Sequence, residues 1–174
     1  ARILYAYPDA VIYTVGDNLC KIQEYAWQGE KRVFRKSGDW SIRESLAFCE
    51  VADLIIGPET GVLNASAMLE VPKIVLLSHS SAENLTKGWA NTAALEPELT
   101  ACYPCHRMHY GWTYCKQESR SHASLCQYNI TADSVWKQVK RFLGEPKVET
   151  PEDDDTEIVL HDNKALLRFL SAVK

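Results

Sequence analysis

No uninterrupted apolar run in the 174 residues approaches the ~18 that a membrane-spanning helix needs, so no transmembrane segment is expected. Pro8 and Asp9 interrupt the start too early for the apolar core of a signal peptide. The chain also lacks an initiating Met, and the expectation is that it begins inside a longer protein. The P-loop pattern G-x-x-x-x-G-K-[ST] is absent, and so is the dinucleotide fingerprint G-x-G-x-x-G. Positive charge is not in excess. The net charge is −4, and the stretch from Glu145 to Lys174 carries all of it, with eight acids against four bases. The rest of the chain is balanced and has no basic field for nucleic acid. Internal repeats are absent as well.

What is present is a globular composition. Hydrophobic residues make up 46% and charged residues 24%, which excludes global disorder. Val11-Ile-Tyr-Thr-Val15 is a continuous β-branched run, the pattern of a strand buried on both faces. Gly16 ends it and Asp17 caps a helix that places Leu19, Ile22, Tyr25 and Ala26 on one face, with Gly29 as its stop. Val33-Phe34 starts a second strand. Ser41-Ile-Arg-Glu44 is a capping box before a helix with Ile42, Leu46 and Cys49 inward. Asp53 to Ile56 is a third strand, Val62 to Leu69 a helix with Val62, Ala65, Met68 and Leu69 inward, and Lys73 to Leu77 a fourth strand. Alternating strands and helices with continuous apolar strands predict an α/β fold, a Rossmann-like parallel sheet with flanking helices.

Residues 84–130 break the pattern and read as loop, aromatic and Cys-rich. A helix returns at Asp133 to Leu143, with Val135, Val139, Phe142 and Leu143 on one face, and Gly144-Glu-Pro146 closes it. The expected organisation is one domain over 1–144 with a Cys-rich insert at 100–128. An acidic linker and an amphipathic helix, Asn163 to Val173, follow over 145–174. Asp153-Asp-Asp155 sits in that linker and reads as a solvated acidic run rather than a metal-binding DxD.

Parallel α/β sheets bind ligands at the carboxyl ends of their strands. The loop Gly57-Pro-Glu-Thr-Gly61 is such a place. Gly61 lets backbone approach a ligand, and the helix start beyond it suits a diphosphate. Thr60 adds a hydroxyl, and the carboxylate of Glu59 is suited to accept from sugar or ribose hydroxyls. Asn64 lies about one turn into the helix and points back to the same end. An ordinary strand-to-helix turn accounts for the same residues equally well.

Of the six cysteines, Cys20 and Cys49 fall in helical patterns and read as buried small residues. Cys102, Cys105, Cys115 and Cys126 are compatible with a structural zinc site, with one or two disulfides, or with free thiols. His106 and His109 are possible substitutes as ligands. Three N-x-[ST] sequons, at Asn64, Asn84 and Asn129, exceed chance mildly, and a secreted protein remains the minor reading.

The segment Ala52-Asp-Leu-Ile-Ile-Gly-Pro-Glu-Thr-Gly-Val-Leu-Asn-Ala-Ser-Ala-Met-Leu-Glu-Val-Pro-Lys-Ile-Val-Leu-Leu77 resembles the signature of glycosyltransferase family 9, the ADP-heptose:lipopolysaccharide heptosyltransferases and their relatives. The Cys-x-Pro-Cys stretch resembles relatives too. The resemblance implies one half of a GT-B enzyme, the C-terminal donor-binding domain. It maps the family's acidic-Thr-Gly onto Glu59, Thr60 and Gly61, which would meet the donor's sugar and diphosphate. Asn64 stands where the family has His. The ribose-binding acid maps onto Asp17 after Gly16, and Trp40 would stack on the base.

The implied function is transfer of a sugar from a nucleoside-diphosphate donor, ADP-heptose or similar, to a saccharide acceptor, in lipopolysaccharide biosynthesis. No cofactor is required for catalysis. The catalytic base is expected in a separate N-terminal acceptor domain, so this chain supplies no catalytic residue of its own. The implied location is cytoplasmic, with a peripheral place on the inner membrane as a further option. A non-catalytic binding module of the same fold, and a nucleotide-sugar epimerase-type GT-B protein, are the alternatives.

Overall fold

A computed structural model describes residues 1–107 and 115–146, with Val148. His109, Asp153 to Asp155 and the expected helix Asn163 to Val173 lie outside the described residues. The chain divides into two units, Ala1–Trp40 together with Pro146–Lys174, and Ser41–Glu145.

In the first unit, α1 (Arg2–Ala6) precedes β1 (Ile12–Thr14), which pairs in parallel with β2 (Val33–Arg35), Ile12 opposite Val33. Between them run a 3-10 turn at Asn18–Cys20, α2 (Lys21–Glu24) and a second 3-10 turn at Tyr25–Trp27. Asp17 caps this segment, its Oδ1 accepting from the amides of Leu19 at 2.9 Å and Cys20 at 3.2 Å. Gly29 closes it at φ 96°.

The helical face expected here is not buried. Leu19, Ile22 and Tyr25 are exposed. The segment changes helix type twice, so a single 3.6-residue period does not hold through it. The buried residue is instead Glu24. Its carboxylate accepts from Thr14 Oγ1 at 2.6 Å and from the Ser37 amide at 3.0 Å. Nor is β1 buried on both faces: Val11 is exposed and the strand itself half-buried.

The second unit holds a three-stranded parallel sheet in the order β3 (Ile55–Pro58), β4 (Lys73–Leu76), β5 (Thr92–Leu95). Its helices are α3 (Ile42–Cys49), α4 (Gly61–Ala65), α5 (Ala82–Leu85), α6 (Leu125–Tyr128) and α7 (Ala132–Leu143). Central β4 is the buried strand. Leu63, Val75 and Leu77 form the core, with Ile55, Ala82, Leu85, Trp89, Ala94 and Tyr103 packed around them. Lys73 is fully buried, its Nζ donating to the carbonyls of Leu69 and Val71, both at 2.7 Å. α7 packs on β4 and β5 through Trp136 and Val139 and ends at Gly144, φ 82°.

The α/β class with parallel sheets and flanking helices is therefore observed. Three local expectations are corrected. β5 lies within the stretch read as loop. In α3, Cys49 is buried as expected, but Ile42 is exposed and Ser45 takes the inward place. In α4 the buried residues are Leu63 and Ser66, while Met68 is 91% exposed. Among the described residues, no helix is long and apolar enough to cross a membrane.

Candidate functional site

Parallel pairing of β3 with β4 sends the loops that follow them to the same end of the sheet. Glu59 leaves β3 and Ser78 leaves β4, so a side chain of the first loop reaches the backbone of the second. Glu59 Oε2 accepts from Ser78 Oγ at 2.9 Å and from the His79 amide at 3.1 Å. Oε1 accepts from the Ser80 amide at 2.9 Å. The imidazole Nδ1 of His79 meets Oε2 as well. The Glu59 side chain is 3% exposed and that of His79 41%. A buried carboxylate needs this many donors to offset its lost hydration.

A second carboxylate extends the stitching. Glu96, just past β5, accepts at Oε1 from the amide of Ala82 at 3.0 Å and from the hydroxyl of Tyr103 at 2.9 Å. Burial, then the bond to Glu96, pushes the Tyr103 hydroxyl well above its ordinary range. His106 donates its amide to the carbonyl of His79 at 2.8 Å. The start of the Cys-rich stretch is thus laid over the carboxyl ends of β4 and β5.

Beside this network stand the other motif residues. Thr60 is the N-cap of α4, its Oγ1 accepting from the Leu63 amide at 3.5 Å and its carbonyl from the Asn64 amide at 2.9 Å. Gly61 and Val62 lie in the first turn, where amides have no acceptor within the helix. A Cβ at Gly61 would meet nothing within 4 Å, and its φ is not in the left-handed region. The fold itself therefore does not require glycine there. Asn64 is exposed.

The structure brings Glu59, Thr60, Gly61 and Asn64 together in the second unit. The expected sugar acceptor, Glu59, is occupied by four protein donors. Gly16, Asp17 and Trp40 lie in the first unit. A Cβ at Gly16 would stand 2.6 Å from Cys20 Sγ, which gives that glycine a packing reason. Asp17 Oδ1 is used by its cap. Trp40 stacks on Tyr13 at 5.8 Å, and Tyr13 on Phe34 at 4.7 Å, in a three-ring ladder, with Lys36 Nζ 5.7 Å from the Trp40 ring.

The sequence did not single out Ser78, His79 and Ser80 as site residues. Their signal was a run of polar groups directly after an apolar strand that neighbours β3.

All six cysteines are free thiols. Cys102 is exposed, while Cys105, Cys115 and Cys126 are half-buried. Burial pushes the Cys115 thiol up, and the nearness of Cys126, Cys105 and Cys102 adds to it. Among the described residues, no group of three or more His, Cys, Asp or Glu stands in metal-holding geometry.

No family model matches the chain, and no curated protein matches it. One solved structure does, the glycosyl transferase family 9 protein from Veillonella parvula DSM 2008, with a TM-score of 0.52 and 16% sequence identity. The match covers 76% of this chain and 36% of that one, so the chain spans about a third of the neighbour's length. The likeness is one of fold.

Proposed function

We propose that the chain is the donor-binding part of a glycosyltransferase, holding the diphosphate of a nucleoside-diphosphate sugar at Thr60 and Gly61 while the sugar passes to a saccharide acceptor. The observation that carries this reading is Gly61: a glycine in the first turn of α4, open to solvent, that neither φ nor packing accounts for. A missing side chain there leaves backbone amides open to an anion. The fold likeness to a glycosyl transferase family 9 protein supports the same reading.

In this reading Glu59 does not touch the sugar. It fixes Ser78 to Ser80, and the His79 ring turns Nδ1 to Glu59, leaving Nε2 as its other nitrogen. Asn64, in the place of the family's His, offers an uncharged donor, so a donor other than ADP-heptose fits this loop. The base that deprotonates the acceptor belongs to the other half of a GT-B enzyme.

The test is calorimetric titration of the chain with ADP, UDP and pyrophosphate. Binding of at least one is expected, with a melting-temperature rise of a few degrees at saturating ligand. Gly61→Val is expected to abolish it without loss of fold, because a Cβ at this position meets nothing within 4 Å. Absence of binding by all three leaves a non-catalytic module of the same fold, the reading favoured by the occupied Glu59 carboxylate.

A further inference from the structure

The loops that follow β3 and β4, residues 57–64 and 78–82, hold two ionisable side chains, Glu59 and His79. Glu59 is buried and committed. Its oxygens accept from Ser78 Oγ and from the amides of His79 and Ser80, and Oε2 also meets His79 Nδ1. An ionised carboxylate only accepts, so the proton of the shared bond sits on Nδ1. Nε2 is then the nitrogen left to change state. The ring is 41% exposed and, among the described residues, Nε2 has no protein partner. A diphosphate oxygen also only accepts. It can bond Nε2 when a second proton is on the ring, and the ring then carries a positive charge beside the ligand.

We propose that His79 binds the diphosphate through Nε2, and that the ring takes up one proton from solvent as the ligand binds. The proposal rests on the reading of Thr60 and Gly61 as the diphosphate loop. Glu59, which His79 meets, is the residue directly before Thr60. Thr60, Asn64 and the serines of the β4 loop are neutral, so His79 is the group of these two loops that can bring positive charge to an anion. The Nδ1 proton stays on Glu59 throughout, and the proton gained sits on Nε2. Other charged or titratable groups stand at this end of the sheet. Glu96 and Tyr103 bond each other. His106 donates its amide to the His79 carbonyl, and Arg107 follows it. A guanidinium keeps its charge, so Arg107 adds no pH dependence. His106 is the second imidazole, and the experiment has to separate it from His79.

The experiment is calorimetric titration of the whole chain with pyrophosphate from pH 6 to 8, in buffers of different ionisation enthalpy. Wild type, His79→Gln and His106→Gln are compared. The protonation of pyrophosphate itself is common to all three, so any difference belongs to the protein. An imidazole loses its charge across this range, so wild-type affinity should fall about tenfold more than that of His79→Gln. At pH 8 wild type should take up about one proton more than His79→Gln. His106→Gln should follow wild type. Nitrogen NMR of wild type at pH 8 should show His79 Nε2 gaining a proton when pyrophosphate is added, a change that a purely structural role would not produce. Equal pH profiles and equal proton uptake in wild type and His79→Gln, with both binding, overturn the proposal and leave the Thr60 and Gly61 reading standing. Loss of the pH dependence in His106→Gln instead overturns it too. Should His79→Gln bind too weakly to titrate, an Nε2 that stays unprotonated in ligand-bound wild type overturns it. Absence of binding by wild type at every pH overturns both readings together.

Discussion

Glu59 and His79 face each other across the carboxyl ends of two neighbouring parallel strands, carboxylate to Nδ1, and the same carboxylate holds the backbone that carries the imidazole. One side chain from the β3 loop thereby sets both the path of the β4 loop and the orientation of its ring. A nearly inaccessible acid with four donors is a positioning residue, and its removal leaves those donors unmatched in a dry environment.

Glu59→Gln tests this. The amide presents a donor where only acceptors fit, against Ser78, His79 and Ser80. A loss of about 2–4 kcal/mol in urea unfolding is expected. Nitrogen NMR of His79 should show Nδ1 losing its fixed proton, with the ring sampling both tautomers. An unchanged tautomer in a folded variant contradicts the positioning role.

Glu24 makes a pH-dependent contribution in the first unit. Burial opposes its ionisation, but the bonds from Ser37 and Thr14, with Arg35 nearby, prevail and hold it below the ordinary carboxylate range. A lowered folded value means that its stabilisation is present above the unfolded value of about 4.5 and is lost as pH falls through the folded one. The Ser37 amide, bound to Glu24, should lose protection from hydrogen exchange over that window. In Glu24→Gln it should exchange faster at neutral pH, with about 1–3 kcal/mol less protection, and lose the acid-dependent slope.

The parts of the fold legible in the sequence are those fixed by local chemistry. β1 to β4 are runs of apolar and β-branched residues, Ser41 and Glu44 form the expected capping box, and Asp17 caps as its position suggests. β5 was not legible. Thr92-Ala-Ala-Leu95 has weak strand preference and is a strand because the edge of β4 receives it. The α4 face differs from the expected one because the helix lasts five residues before tightening, so a single helical period carried on to Leu69 places Met68 inward. Ser66 is buried instead, its hydroxyl satisfied by the Leu63 carbonyl at 2.6 Å. At the candidate site, the residue types were visible but the partners of Glu59 were not. They lie about twenty residues away and become neighbours only through strand order.

The glycines separate packing from access. Gly38 has φ 69°, and a Cβ there would strike the Asn18 side chain, so Gly38→Ala should cost about 1–3 kcal/mol. Gly16→Ala should also destabilise, through Cys20 Sγ at 2.6 Å. Gly61→Ala meets no atom and should leave stability within about 0.5 kcal/mol of wild type. Thermal melts of the three variants check the order. A Gly61→Ala loss as large as that of Gly38→Ala would give Gly61 a folding role and weaken the ligand reading.

Glu118 offers a last titration, at the tip of a fold-back between Cys115 and Cys126 in which Gln117 pairs antiparallel with Ser124. Its carboxylate accepts from the amides of Ser121 at 2.7 Å and Arg120 at 3.0 Å, and from the hydroxyls of Ser121 and Ser119. Those bonds favour the ionised form and hold its pKa down at about 2. The sign follows from linkage: the tip is held fully above the unfolded value of about 4.5, and the hold is lost as pH falls toward 2. The group is exposed, so the effect is local. Carboxyl NMR should place the Glu118 midpoint far below the ordinary glutamate value of about 4.5. The Ser121 amide should lose protection over the same range, while the melting temperature of Glu118→Gln at neutral pH stays close to wild type. A midpoint near 4.5 would mean that the backbone bonds at the tip do not hold in solution. The two cysteine arms would then lack the turn that aligns them.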